Sequence, residues 1–348
     1  MKRLALACAL SIGCNAGAPT TTLVPLPPDG NGVEAESTIP IGGGPFTDLA
    51  INPDGLFMCV GNSQFGFYGL DGKCLPDGAP AVVPRDCFAA RHFFYSLRDQ
   101  LRVYDEAWHM LGAATFADAN AGAIPTLRIA ASADGLTMAA AGWVGDGGNL
   151  DPGTTYLTQV NVGAVDGAAQ GRLLARFAGA PNDFAVSPDG KTAVVPIDGK
   201  LVAIDVSSTA QRPLASLPET PWSLVWPSGG NLLAGGAGGV YDVDAIADRA
   251  VKLADAGGDG VYLGAIARTL DGAHLVAHAQ NSYSGDGRLR VLDVGAGAWR
   301  TVARHRGEDF LAIALTPDGA KLYALTETTL YVYDAAALVS ARAISDGN

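Results

Sequence analysis

DFAVSPDGKTAVVPIDGKLVAIDV, residues 183–206, spells three short apolar runs separated by two turn signals. In Ser187-Pro188-Asp189-Gly190, Pro presets φ, Asp can bond the backbone just ahead of it, and Gly takes the positive φ that other residues avoid. Asp198-Gly199 is a pair favoured in a tight hairpin between the second and third runs. The stretch therefore reads as strand, turn, strand, turn, strand.

The same phrase recurs. DLAINPDGLFMCVGNSQFGFYGLDGK from Asp48 and LAIALTPDGAKLYALTETTLYVYD from Leu311 are close copies. LRIAASADGLTMAAAGW from Leu127, WSLVWPSGGNLLAGGAGGVYDVD from Trp222 and LGAIARTLDGAHLVAHAQNSYSGDGRLRVLD from Leu263 are looser ones. RDCFAARHFFYSLRDQLRVYD from Arg85 keeps the strand order without the Pro-Asp-Gly turn. The turn glycines Gly55, Gly135, Gly190, Gly229, Gly272 and Gly319 are separated by 80, 55, 39, 43 and 47 residues, the first interval spanning the degenerate copy. A period of about 40 is the length of a four-stranded propeller blade. Runs such as AVVPI, LYALT and LYVYD are apolar on both faces, as expected of a sheet sandwiched between two others.

Seven units fill residues 46–344, so the chain is expected to be all-β, a seven-bladed β-propeller of four-stranded antiparallel blades. Both ends offer a closing strand: ESTIPIG before the first unit and DAAALVSARAI after the last third strand. The N-terminal stretch is the one expected to join the last blade.

The first residues carry an address. MKRLALACALSIGCNAGAP has Lys2 and Arg3 before an apolar run from Leu4 to Gly13, too short to span a bilayer but suited to a secretory signal. LSIGC resembles a bacterial lipobox, with Cys14 as the lipidated first residue of the mature chain; plain secretion is the alternative. Residues 1–14 are thus read as signal and lipobox, 15–37 as a flexible Pro/Thr/Gly linker, and 38–348 as a single propeller domain. The expected location is the bacterial cell envelope; if Cys14 is lipidated, Asn15 is the second mature residue, and resemblance to sorted lipoproteins, whose usual inner-membrane retention signal there is Asp, implies the outer membrane. Membrane attachment is through the N-terminal lipid only.

STIPIGGGPFTDLAINPDG and SPDGKTAVVPIDGKLVAIDV resemble the YVTN-type seven-bladed propellers, the group that includes the propeller lactonases and surface-layer repeats. The resemblance covers nearly the whole mature chain. The shared residues are turn-makers and core, so it implies the fold and leaves the activity open, because this fold hosts binding proteins and enzymes alike.

With 23 Lys+Arg against 35 Asp+Glu, the net charge of −12 repels phosphate backbones and argues against nucleic acid as a partner. Counting back six residues from each turn Asp places Asp48 and Asp183, and by alignment Asp86, at the start of the inner strands. Three carboxylates at a channel mouth suit a hard cation such as Ca²⁺ or another divalent ion; the alternative is that each caps the opening turn of its blade. The equivalent positions elsewhere are Arg128, Trp222, Ala265 and Ala312. Two loops on the same face look enlarged. GWVGDGGNLDPGTT, 142–155, brings together Asp146, Asn149 and Asp151, and QNSYSGDGR, 280–288, presents Asn281, Tyr283 and Asp286. Departures from a regular repeat are where function tends to sit, so these six residues are the leading ligand contacts; the alternatives are a solvated turn-rich loop at 142–155 and a merely exposed aromatic at Tyr283.

The histidines are not expected to form a site: His274 and His278 share a strand face at ~13 Å, and His92, His109 and His305 fall in different blades. Cys59, Cys74 and Cys87 read as buried thiols, with one disulfide among them as the alternative. No catalytic set is assigned. The expectation is a monomeric, non-enzymatic binding scaffold for an envelope protein, a peptide or a glycan. A lactonase-like hydrolase or cation-dependent enzyme at the channel mouth is the alternative.

Overall fold

A computed structural model describes the chain from residue 32 to 344, outside residues 41–45, 52–56, 63–65, 70–86, 90–92, 98–99, 105–109, 116, 119–121, 124–125, 133–136, 145–152, 162–170, 180, 182, 198–199, 215–216, 228, 258–260, 282–286, 306–307 and 327–328. Among the described residues, the strands make six antiparallel sheets of four strands, one of three, and a two-stranded hairpin. The first sheet holds Phe46–Ile51, Phe57–Asn62 and Gly66–Gly69. The second runs Cys87–Ala89, Phe93–Leu97, Gln100–Tyr104 and Met110–Thr115, which is the degenerate copy with its strand order intact. A small hairpin, Ala117–Asp118 with Gly122–Ala123, follows it and has no counterpart among the other described residues.

The third sheet holds Thr126–Ala131, Thr137–Val144, Thr154–Asn161 and Gly171–Ala178. The fourth holds Ala185–Val186, Thr192–Ile197, Lys200–Asp205 and Gln211–Pro213. The fifth holds Ser223–Val225, Leu232–Gly236, Gly239–Asp244 and Arg249–Ala254. The sixth holds Val261–Arg268, His274–Asn281, Gly287–Asp293 and Ala298–His305. The last has Ala312–Leu315, Lys321–Leu325 and Thr329–Asp334, with Ser37–Pro40 as its outer strand.

The core lies between sheets, and this is why the strands are apolar on both faces. Along Thr192–Ile197, Ala193 and Val195 pack with Leu157 and Leu174 of the third sheet, while Val194 packs with Leu224 and Leu232 of the fifth. Leu232 and Ala234 face back to the fourth sheet, Leu233 forward to the sixth. Val276 joins Leu322 and Ala324 of the last sheet, whereas its neighbours Leu275 and Ala277 join the fifth. Tyr323 and Leu325 then meet Leu49 of the first sheet. Burying each such side chain contributes about 1.5–3 kcal/mol, so a polar residue at either alternating set opens one of two cores. Along most of the series the first strands of consecutive sheets also touch, and Phe46–Ile51 lies against Ala312–Leu315, returning the series to its start.

Both ends of the described stretch are fastened. Ser37 pairs with Val332 and Pro40 with Thr329, so the N-terminal strand completes the last sheet. Just before it, the Val33 N–H donates to the Val302 carbonyl at 2.8 Å, and Lys321 pairs with Glu36. The expected fourth strand in DAAALVSARAI is instead a helix, Ala335–Ser340. Its Ala-rich sequence favours helix, and the Asp334 carboxylate caps it by accepting the Ala337 N–H at 2.8 Å. Leu338 is buried against the sixth and last sheets, and the Arg300 guanidinium reaches the Val339 and Ala341 carbonyls.

Candidate binding face

The repeated turns account for most of the conspicuous acidic residues. Ser187 Oγ donates to Asp189 Oδ1 at 2.7 Å and accepts the Thr192 N–H, while Asp189 Oδ1 accepts the Lys191 N–H. Thr269 and Asp271 repeat this arrangement with Ala273 and His274, and Thr316 and Asp318 repeat it with Ala320 and Lys321. The glycines that follow, Gly190, Gly272 and Gly319, all have φ near +70°, the left-handed turn position. The hydroxyl hydrogen bonds hold the Asp189, Asp271 and Asp318 carboxyls below the ordinary carboxylate range.

A second series ends the third strands. Asp205 Oδ1 accepts from Ser207 and Ser208, both backbone and hydroxyl, and those bonds pull its pKa down to about 2. Asp244, Asp293 and Asp334 cap the backbone in the same place in their own sheets. These carboxylates are acceptors for backbone amides, and their chemistry is used up in the fold.

In propeller topology every first strand begins at the same face, the mouth, so the strand-start positions belong to it. Asp183 Oδ1 accepts the Phe184 N–H at 2.9 Å, and Oδ2 crosses to the next sheet to accept the Leu224 N–H at 2.8 Å. It therefore ties two sheets together. Asp48 pairs with Gly61, just past a one-residue register shift; the same shift precedes Arg128 and Ala265. At Ala265 the shifted residue is Gly264, and the His278 ring fills the space a Cβ there would need. That ring is fully buried, which pushes its pKa down to about 4 and keeps it neutral.

The side chain of Asp48 and all of Asp86, Asp146, Asn149, Asp151, Tyr283, Asp286, Cys14 and Cys74 lie outside the described residues. Asn281 is the last residue of its strand, paired with Val261. Cys59 sits mid-strand opposite Ala50, and Cys87 opens the second sheet. Among the described residues, no three or more His, Cys, Asp or Glu side chains are grouped to hold a metal ion. No described helix is long and apolar enough to cross a membrane.

The two enlarged loops are partly ladder. Gly142, Trp143 and Val144 pair with Tyr156, Thr155 and Thr154, and Asn281 continues the sixth sheet. Relative to the equivalent position Arg128, the second-to-third hairpin of the third sheet runs three residues further, ~10 Å at 3.3 Å per residue; in the sixth sheet the second strand also runs three residues past the partner of Ala265, but Gln280 and Asn281 pair there with the first strand. The hairpin of the fifth sheet stops at Gly236 and Gly239, level with Trp222. The third and sixth sheets therefore stand above the fourth and fifth, and the low ground between them holds Asp183 and Trp222.

Sequence position placed Trp222 at the mouth but gave no sign of its surroundings. It is 49% exposed, one of few large apolar side chains in that state among the described residues. Glu219 lies beside it, accepting the Gly238 N–H. Behind the turn, Lys252 stands over the Tyr241 ring and pairs with Asp255. At the junction of the sixth and last sheets, the His305 and Tyr331 rings meet at 4.2 Å with Phe310 edge-on to both. Burial and the Glu308 carboxylate push Tyr331 up to about 12.

A closed series of four-stranded antiparallel sheets, each packed on its neighbours, defines a β-propeller. Consistent with this, the chain is similar to the β-propeller domain of Myceliophteria thermophila Cps50 (Swd1), at 14% identity and a TM-score of 0.60, over 87% of this chain and 99% of that one. At that identity the likeness is one of fold. No family model and no curated protein matches the sequence.

Proposed function

We propose that this chain is a lipid-anchored, extracytoplasmic, seven-bladed propeller of the YVTN type that works by binding an envelope protein or peptide at its mouth. The observation that carries the reading is the division of labour among polar groups. Asp183, Asp189, Asp205, Asp244, Asp271, Asp293, Asp318 and Asp334 are engaged by backbone and hydroxyl donors. A half-exposed indole and a carboxylate meanwhile occupy the low ground between the third and sixth sheets. A recess with an aromatic anchor and a polar rim is the form of a recognition surface. The proposed lipid on Cys14 and a linker shorter than the expected 15–37, because residues from Val33 onward are hydrogen-bonded to the last two sheets, would hold that surface away from the outer membrane.

The test is affinity isolation of the full chain from detergent-extracted envelope, with excess anchor-free propeller as competitor. One stoichiometric component displaced by the competitor supports the reading. No displaceable component, together with turnover of lactone or ester substrates by the purified chain, would replace it with a hydrolase. Cys14→Ser is expected to move the protein from the membrane fraction to the soluble one; unchanged retention would remove the anchor from the proposal.

A further inference from the structure

We infer that Trp222 and Glu219 form a seat for the guanidinium of an arginine side chain presented by a basic peptide; this deepens the binding reading and rests on it. The seat is built over a glycine turn. A Cβ on Gly236 would lie 2.8 Å from Glu219 Oε1 and 3.6 Å from Trp222 Cδ1, so the carboxylate and the indole edge flank one point above the backbone. A Cβ on Gly238 would also meet Glu219 Oε1 at 2.8 Å, with the Tyr241 hydroxyl 3.3 Å away. The absence of side chains at both positions lets the carboxylate lie across the turn beside the indole.

The chemistry at this point is that of a cation site. Glu219 gives one oxygen to the Gly238 N–H, which fixes the carboxylate and leaves Oε2 for a second donor. The Tyr241 hydroxyl is buried beneath the same turn, in a side chain only 7% exposed, without a hydrogen-bond partner. Lys252, the nearby ammonium, is already paired with Asp255 and stands over the Tyr241 ring. Two carboxylates thus face one ammonium, in a chain whose net charge is −12. A cation approaching the mouth is attracted at long range and finds an aromatic face and a carboxylate at contact.

Arginine fits better than lysine. Its guanidinium is planar, stacks on an indole, and donates in a fork to a carboxylate, whereas an ammonium is a compact and strongly hydrated point charge. The half-exposed indole is open to a peptide that delivers one side chain to position 222.

The experiment is a calorimetric titration of the full chain with three peptides differing at one residue, Ac-Gly-Arg-Gly-NH₂ and its lysine and citrulline forms. The arginine peptide is expected to bind saturably, citrulline about tenfold more weakly, and lysine in between. Trp222→Ala and Glu219→Gln are each expected to lower arginine affinity about tenfold, Glu219→Gln with an unchanged melting temperature because it keeps the acceptor for the Gly238 N–H. Equal affinity for arginine and citrulline overturns the seat. So does unchanged binding in Glu219→Gln, or no saturable binding by wild type. An envelope partner still captured by Trp222→Ala sinks this inference and leaves the binding function standing; arginine binding with no envelope partner does the reverse.

Discussion

Replacing Asp183 tests whether the mouth carboxylates are structural caps or cation ligands. The Asp183 carboxylate accepts two backbone amides, Phe184 at 2.9 Å within its own sheet and Leu224 at 2.8 Å in the next. Both residues have buried side chains. Asp183→Ala strands two amides, and leaving a buried donor unmet costs ~1–3 kcal/mol. Asp183 is itself partly exposed, so water can reach one of the two amides. A loss of ~2–3 kcal/mol follows. Asp183→Asn keeps one acceptor oxygen but turns an NH₂ toward the other amide, for a loss of ~1–2 kcal/mol. In urea unfolding the Ala variant should show a lower midpoint at unchanged slope, and in heating a fall in Tm of about 5 °C. A shift below ~0.5 kcal/mol for Asp183→Ala would falsify the bridging role. Wild type losing as much stability to a chelator as to Asp183→Ala would make the group a cation ligand instead.

Two further outcomes follow from titrating groups. His278 is held neutral by burial with a folded pKa of about 4, below its unfolded value near 6.5. Its contribution is therefore fully present above pH ~6.5 and is lost as pH falls toward 4, by on the order of 3 kcal/mol; His278→Gln should flatten the stability-versus-pH curve in that window, and an unchanged slope would remove His278 as its cause. Asp205, pulled to about 2 by Ser207 and Ser208, should titrate in carbon-detected NMR well below an ordinary carboxyl. Ser207→Ala should raise that midpoint, and no movement would mean the hydroxyl bond is not what lowers it.

The sheets were legible because their signals are local. A Ser or Thr two residues before an Asp-Gly bonds within five residues, so the turn can be read from one short window. Apolarity on alternating sets likewise implied two-sided burial, which the split of Val194 and Val195 between different cores bears out. What escaped the sequence was non-local. The partner of Asp183 is 41 residues away, and Glu219 meets Trp222 only where the Gly236 turn folds beneath them. The extra length at 142–155 and 280–288 reads as loop because its glycines and aspartates are turn residues, yet three residues on the second strand of each hairpin extend the ladders. The helix at Ala335–Ser340 was missed because a six-residue run is too short for its periodicity to outvote the repeat.

The pattern at the strand starts has a physical logic. Asp183 serves its neighbour: its Oδ2 satisfies an amide on the first strand of the following sheet. The residue at this position is thus set partly by what the next sheet needs. Trp222, Ala265 and Ala312 carry no carboxylate, so the sheets that follow them meet their amides by other means. The sixth sheet has a first strand of eight residues in its own ladder, against three in the fifth, the strand that Asp183 supports. Position 222 carries an indole in place of a carboxylate: its backbone N–H is met by the Gly235 carbonyl at 2.7 Å, and about half of the side chain stays open to solvent, where a ligand can reach it.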